Sequence, residues 1–191
     1  ILVVAGLIVV IVFAPPVAIA MEKAGILHSY QLSRILVWKN PEAYPKSGGY
    51  QVLQGLYAIG SGGLLGKGLG QSIQKLSFLP EPQNDMIFAV ICEELGLFGA
   101  IAVIFMFLFM LYRFLVIAGN APDLFGAMLV TGVLAHIAIQ VVLNIAVVTN
   151  VIPNTGITLP FISYGSSSLI SIFIGMGLVL NAGLQRVPRH Y

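Results

Sequence analysis

Residues 95–112, LGLFGAIAVIFMFLFMLY, contain no charged side chain and no proline. Joined to the residues before them they form an apolar run over 86–111, and about 20 mainly apolar residues suffice for a helix to cross a bilayer. Three more stretches read the same way: 1–20, with Pro15-Pro16 near its end, 124–148 and 167–184. Lipid offers no partner to backbone N–H and C=O groups, so these spans are expected as helices. Strand-like alternation is absent, which argues against a barrel. The expected fold is an all-α polytopic membrane protein with four transmembrane helices. They are linked by a long segment over 21–85, a loop over 113–123 and a loop over 149–166, with a tail over 185–191.

Composition leads to the same class. Of 191 residues, 58% are hydrophobic and 8% charged, with 9 Lys/Arg against 7 Asp/Glu. A soluble domain carries roughly 25% charge, so a soluble enzyme is a poor reading. A net charge of +2 without a basic stripe argues against nucleic-acid binding. The single cysteine, Cys92, has no partner for an internal disulfide, and His28, His136 and His190 match no metal-ligand spacing. The opening residues ILVVAGLIVVIVFAPPVAIA lack the basic start and cleavage site of a signal peptide. They read as a helix entered midway, so the chain is expected to be the C-terminal part of a longer bundle.

Loop charge orients the spans. Arg113 lies in the loop over 113–123, and Arg186 and Arg189 lie in the tail, whereas 149–166 has no Lys or Arg. The positive-inside rule places the first group in the cytoplasm, and 21–85 with 149–166 outside. Within 21–85, residues 26–38 read as an interfacial helix with Tyr30 and Trp38 at headgroup level. Residues 50–59 read as a second interfacial helix or a re-entrant one, with Asn40-Pro41 and Tyr44-Pro45 as breaks between the two. The run GSGGLLGKGLG over 60–70 fails the P-loop frame, with Ser61 and Gly68 at the wrong positions. It fits either a flexible surface turn or a rim around a bulky ligand head. Lys67 within it would pair with a phosphate or solvate the loop.

Several polar residues admit two roles. Asp85, just before the second span, suits a helix cap or a general base at the membrane surface. Glu93 and Glu94 follow it by about 12–14 Å along a helix, too far to complete a carboxylate pair with it. They sit at the interface and orient the outer cavity, or lie deeper and need partners. His136, Gln140 and Asn144 recur at helical spacing on the third span, for interhelical hydrogen bonds or for a cavity reaching into the membrane. Ser166–Ser168 either cap the last span or leave its N–H groups for a pyrophosphate oxygen.

Three runs carry a resemblance: AIGSGGLLGKGLGQS over 58–72, LPEPQNDMIFAVICEELG over 79–96 and PNTGITLPFISYGSSS over 153–168. Together they resemble the SEDS family (shape, elongation, division and sporulation), its division and sporulation members most. The resemblance implies a ten-helix bundle of which this chain is the last four helices, in the bacterial plasma membrane, with the active site on the extracytoplasmic face. It implies a peptidoglycan glycosyltransferase that polymerises lipid II, a disaccharide-pentapeptide on undecaprenyl pyrophosphate, beside a class B penicillin-binding transpeptidase. Asp85 matches the family's essential aspartate. Lys67, Gln83, Glu93, Glu94, Asn154, Thr155, Ser163, Tyr164, Ser166 and Ser167 fall in the matching runs as substrate-binding candidates. Ser166 stands where the family often has glycine. With few cations available, a loosely bound Mg²⁺ or Mn²⁺ is conceivable at the leaving pyrophosphate. A flippase for the lipid-linked precursor and a non-enzymatic scaffold are the competing readings. Polar and glycine-rich chemistry concentrated at one end disfavours the flippase.

Overall fold

The structure is a computed structural model and describes residues 16, 19, 22, 28–77, 79 and 82–185. Its helices are α1 (Ser29–Lys39), α2 (Gly49–Gly62), α3 (Ile73–Ser77), α4 (Ile87–Gly119), α5 (Leu124–Val148) and α6 (Ser166–Leu184). Among the described residues there is no strand. Helices α4, α5 and α6 are long and apolar enough to cross a membrane. The span expected over 1–20 lies almost wholly outside the described residues, as do Arg186 and Arg189.

The Pro41 and Pro45 breaks become two short 3₁₀ turns, Pro41–Ala43 and Pro45–Ser47, because proline fixes φ for a first helical position. They fold α1 back beside α2. The buried positions of α2 are Gly49, Val52, Gly55, Ala58 and Gly62. That spacing lines up small residues on one face, so the α2 backbone lies close against the start of α4. Met86, Phe88, Phe107 and Phe114 then continue the core down α4, where Val130, Ile137 and Val141 of α5 and Val179 of α6 meet them.

Two features of α4 depart from expectation. The helix runs on past 111 to Gly119, so Arg113 sits on it and the connection shrinks to 120–123. The cause is the run Phe114–Ala118, apolar and free of breakers, while a long Arg side chain reaches water from the last turns of a span. Asn120 closes the helix by donating from Nδ2 to Val116 O at 2.8 Å. Asp123 opens α5 by accepting from Gly126 N–H at 3.2 Å.

The second departure is a break at Gly96, with φ 66° and ψ −161°, a region essentially closed to residues with a Cβ. It divides α4 into a short piece over 87–95 and a membrane-length piece over 97–119, about 34 Å at 1.5 Å per residue. The sequence EELGLFG reads as continuous helix, so periodicity alone hides this joint.

Candidate active site

Asp85 sits in the turn ahead of α4. The N-cap residue is Met86 and makes no side-chain cap hydrogen bond, so the cap role considered for Asp85 is not the one it takes. Its half-buried carboxylate instead receives the Gln51 amide of α2, at 3.2 Å to Oδ1 and 3.5 Å to Oδ2. Its main chain is pinned from the other side. Asn144 of α5 is fully buried and spends both amide protons on backbone carbonyls, Asp85 O at 2.9 Å and Ile157 O at 2.7 Å. Tyr164 N–H donates to Gln83 O at 2.8 Å. These bonds stitch 83–85 to 157–164 at one end of the bundle.

Between the stitched segments runs an open trough. It consists of adjoining hollows of about 440 and 480 Å³ that share Asn84, Thr158, Tyr164 and Gly165. Gln51, Asp85 and Gly156 line the first hollow; Gln83 and Ser166–Ser168 line the second. Among the described residues Asp85 is the only acidic side chain facing the trough. The start of α6 forms the far wall. Its N-cap is Gly165 and carries no side-chain cap, so the serines do not cap the helix as one reading had it. Ser168 accepts from Thr158 Oγ1 at 3.0 Å and from Gln140 at 3.2 Å. The first intrahelical bond is Leu169 N–H to Gly165 O, which leaves the N–H groups of Ser166–Ser168 without intrahelical acceptors at the trough wall. Of the polar stripe on α5, Gln140 and Asn144 thus act as interhelix and helix–loop bonds. His136 borders a separate hollow between α5 and α6 with Ser171 and Gly175.

A second cleft, about 200 Å³, opens on the other side of Gln51 and is lined by Tyr30, Arg34, Gly48 and Asn154 among others. The Arg34 guanidinium lies 4.6 Å over the Tyr30 ring and donates to Tyr30 Oη and Asn154 O. No carboxylate among the described residues forms an ion pair with it. Trp38 is half-buried, its indole N–H on Asn150 O at 3.0 Å just past the end of α5. Tyr30 is the exposed aromatic of α1.

Lys67, Glu93 and Glu94 belong to a different structure. Glu93 is fully buried. It accepts from Lys67 Nζ at 2.6 Å, from the Ser72 hydroxyl, from Ser61 at 3.4 Å and from the N–H groups of Ile73 and Gln74 at 3.3 Å. The backbone follows suit: Lys67 N–H donates to Glu93 O and Gly68 N–H to Glu94 O, both at 2.9 Å, and Leu97 N–H to Gly63 O at 3.0 Å. A Cβ at Gly62 would collide with the Cys92 carbonyl, and one at Gly66 with the Glu94 carbonyl. Gly62 and Gly66 therefore serve backbone docking beside the Gly96 break. Lys67 neither solvates the loop nor faces the trough, and Glu93 has the buried partners that a deep carboxylate requires.

Of the expected substrate-binding residues, Gln83, Tyr164, Ser166 and Ser167 line the trough with Asp85, and Asn154 lines the neighbouring cleft. Ser163 is 3% exposed, its Oγ taken by Leu159 N–H at 2.7 Å. Thr155 is exposed on the loop and lines neither hollow of the trough. Gln51, Arg34 and Asn84 were not anticipated. Gln51 flanks the small-residue face of α2, and Arg34 is the one cation inside α1 ahead of its last residue, and those are the signals that mark them. No group of three His, Cys, Asp or Glu side chains among the described residues is placed to hold a metal ion.

The sequence model of the FtsW, RodA and SpoVE family, described as "Cell cycle protein", matches residues 1–187. Stage V sporulation protein E of Bacillus subtilis is 51% identical over 152 residues, which is 80% of this chain and 42% of that protein. The probable peptidoglycan glycosyltransferase FtsW of the same organism is 44% identical over 183 residues, 96% of this chain and 45% of its own length. The chain thus spans less than half the length of these relatives. Among solved structures, a chain from a peptidoglycan synthase complex that coordinates polymerization and crosslinking superposes with a TM-score of 0.65 at 30% identity, covering 96% of this chain and 49% of that one. A mutant of the rod shape determining protein RodA from Thermus thermophilus gives 0.54 at 27% identity, over 83% of this chain and 58% of that one. With an all-helical membrane fold and a family match over nearly its whole length, this chain belongs to the SEDS family of FtsW, RodA and SpoVE proteins.

Proposed function

We propose that the trough is the polymerising site of a peptidoglycan glycosyltransferase acting on lipid II. The observation that carries this reading is an oriented carboxylate, Asp85, the one acidic side chain among the described residues at the trough, opposite a helix N-terminus. One base is what such a transfer needs. Asp85 takes the proton from the C4 hydroxyl of the acceptor N-acetylglucosamine. That oxygen attacks the anomeric carbon of the donor N-acetylmuramic acid, the bond to undecaprenyl pyrophosphate breaks, and the α linkage inverts to β. A pyrophosphate leaves without protonation, so no second carboxylate is required, unlike glycoside hydrolysis. The open N–H groups at the start of α6 suit an anion, and Arg34, in the adjoining cleft and in no ion pair with a carboxylate among the described residues, supplies a cation beside the trough that Lys67 does not. An Mg²⁺ or Mn²⁺ riding on the pyrophosphate would arrive with the substrate, and the steps here are assigned to side chains.

In this reading the trough faces the extracytoplasmic side and the chain forms the last four helices of a ten-helix bundle. A class B penicillin-binding transpeptidase crosslinks the product; the similarity to a synthase complex that couples polymerization and crosslinking supports such a partner. The test is polymer formation from lipid II by the full-length protein and its partner in proteoliposomes, run beside a headgroup-flipping assay. Flipping without polymer would replace this reading with the transporter. Polymer formation unchanged in a folded Asp85→Asn protein would replace it with the scaffold.

A further inference from the structure

The glycine loop has an outer face that the docking on α4 leaves unexplained. Leu65 is 81% exposed and Leu69 77%, with Leu64 and Ile73 also largely exposed. The cation of the loop and two of its N–H groups are turned the other way. Lys67 is consumed by buried Glu93 at 2.6 Å, and the N–H groups of Lys67 and Gly68 are consumed by the carbonyls of Glu93 and Glu94. What remains outward is a cluster of aliphatic side chains, with the uncharged Gln71 exposed between Leu69 and Ile73.

Position and shape indicate what covers this cluster. The loop is bonded to the first residues of the membrane-length piece of α4, Leu97 N–H to Gly63 O at 3.0 Å and Phe98 N–H to Leu64 O at 3.4 Å. Leu64 and Leu65 therefore stand level with Leu97 and Phe98, the first residues of the membrane-length piece of α4. Helix–helix contacts in membranes place small residues at the interface and large ones toward lipid. The loop obeys that division on its own scale: Gly62 and Gly66 touch α4 and the leucines point away. Backbone at this depth is tolerated only when its polar groups are bonded to protein, and the bonds to 93–98 provide that for Gly63, Leu64, Lys67 and Gly68.

We propose that residues 63–73 form a re-entrant wedge whose Leu64, Leu65, Leu69 and Ile73 contact lipid acyl chains in the leaflet that receives the start of the span at Leu97. This stands independently of the chemistry assigned to Asp85. The wedge would hold the docked piece of α4, and with it the trough, at the membrane surface.

Two measurements on the full-length protein in phospholipid bilayers test it. First, the unsubstituted protein is irradiated in vesicles containing a phospholipid with a diazirine on its acyl chain, and adducts are mapped by mass spectrometry. Adducts within 63–73 are expected alongside those on Phe98 and Ile101. Labelling of the spans with none in 63–73 overturns the proposal. Second, a nitroxide is placed at Leu65→Cys or Leu69→Cys in a Cys92→Ala background, and its collision with oxygen is compared with that of a water-soluble nickel chelate. High oxygen and low nickel accessibility is expected. High nickel accessibility would mean an aqueous loop, and low values for both would mean a protein-covered one; either result overturns the wedge.

Discussion

Two amides help hold Asp85: a glutamine amide on its carboxylate and an asparagine amide on its carbonyl. Replacing it with Asn keeps size and hydrogen bonding but removes the base. Asp85→Asn is expected to lower lipid II polymerisation by roughly 10²–10⁴-fold, about 3–5 kcal/mol in the barrier, with the melting temperature nearly unchanged. Asp85→Glu is expected to be poor as well, because one methylene displaces the carboxylate by about 1 Å or more. Gln51 lines the trough and orients that group. Gln51→Leu should therefore cut the polymerisation rate by about 10- to 100-fold with apparent substrate affinity preserved. Arg34→Met should do the opposite, raising the substrate concentration needed for half-maximal rate while sparing folding. Measuring rate against lipid II concentration for both variants separates the two effects, and an affinity loss in Gln51→Leu with none in Arg34→Met would reverse the assignments. Sequence made Asp85 legible because a carboxylate ahead of an apolar span is conspicuous. It left Gln51 and Arg34 unmarked, since a glutamine on a mixed helix and an arginine beside a tyrosine are ordinary until a neighbouring element arrives.

At the scale of elements, the contact between 62–68 and 92–97 is the feature the chain depends on and the one least readable in advance. Its two strands of sequence are apart, and its signal was divided between a glycine run that suggested freedom and a glutamate pair that suggested an exposed cavity. Both resolve once Gly96 breaks the helix, because the freed carbonyls of 93 and 94 then take the loop's N–H groups. Lys67→Met would leave the buried Glu93 carboxylate without its cation, an expected loss of about 3–5 kcal/mol. Adding Glu93→Gln should recover much of it, which thermal melts of the single and double variants in detergent will read. The proline breaks in 40–47 were legible because proline acts locally. The extension of α4 to Gly119 was not, because one arginine in an apolar run looks like an ending.

For the whole molecule, the hydrogen bonds from Asn144 to Asp85 O and from Tyr164 to Gln83 O put 83–85 and 149–165 at one end and 120–123 at the other. The three apolar spans were readable from hydropathy alone, whereas which residues of the connecting segments meet depended on contacts made across the bundle. Charge bias in the sequence gives the expectation of which end is outside. Cysteine substitution at Thr155 and Ala121, in a Cys92→Ala background, is expected to give labelling of 155 by an impermeant maleimide in intact cells and protection of 121. The reverse pattern would invert the orientation. The break at Gly96 also bears on mechanics. An unbroken rod would turn any tilt of its membrane part into a swing of its outer end, and tilt is how a span answers a bilayer thinner than itself. Here the loop over 63–68 spans the joint, bonded to Glu93 and Glu94 before it and to Leu97 and Phe98 after it, so 85–95 follows a tilt of 97–119 and glycan synthesis should differ in rate between short-chain and long-chain phosphatidylcholine.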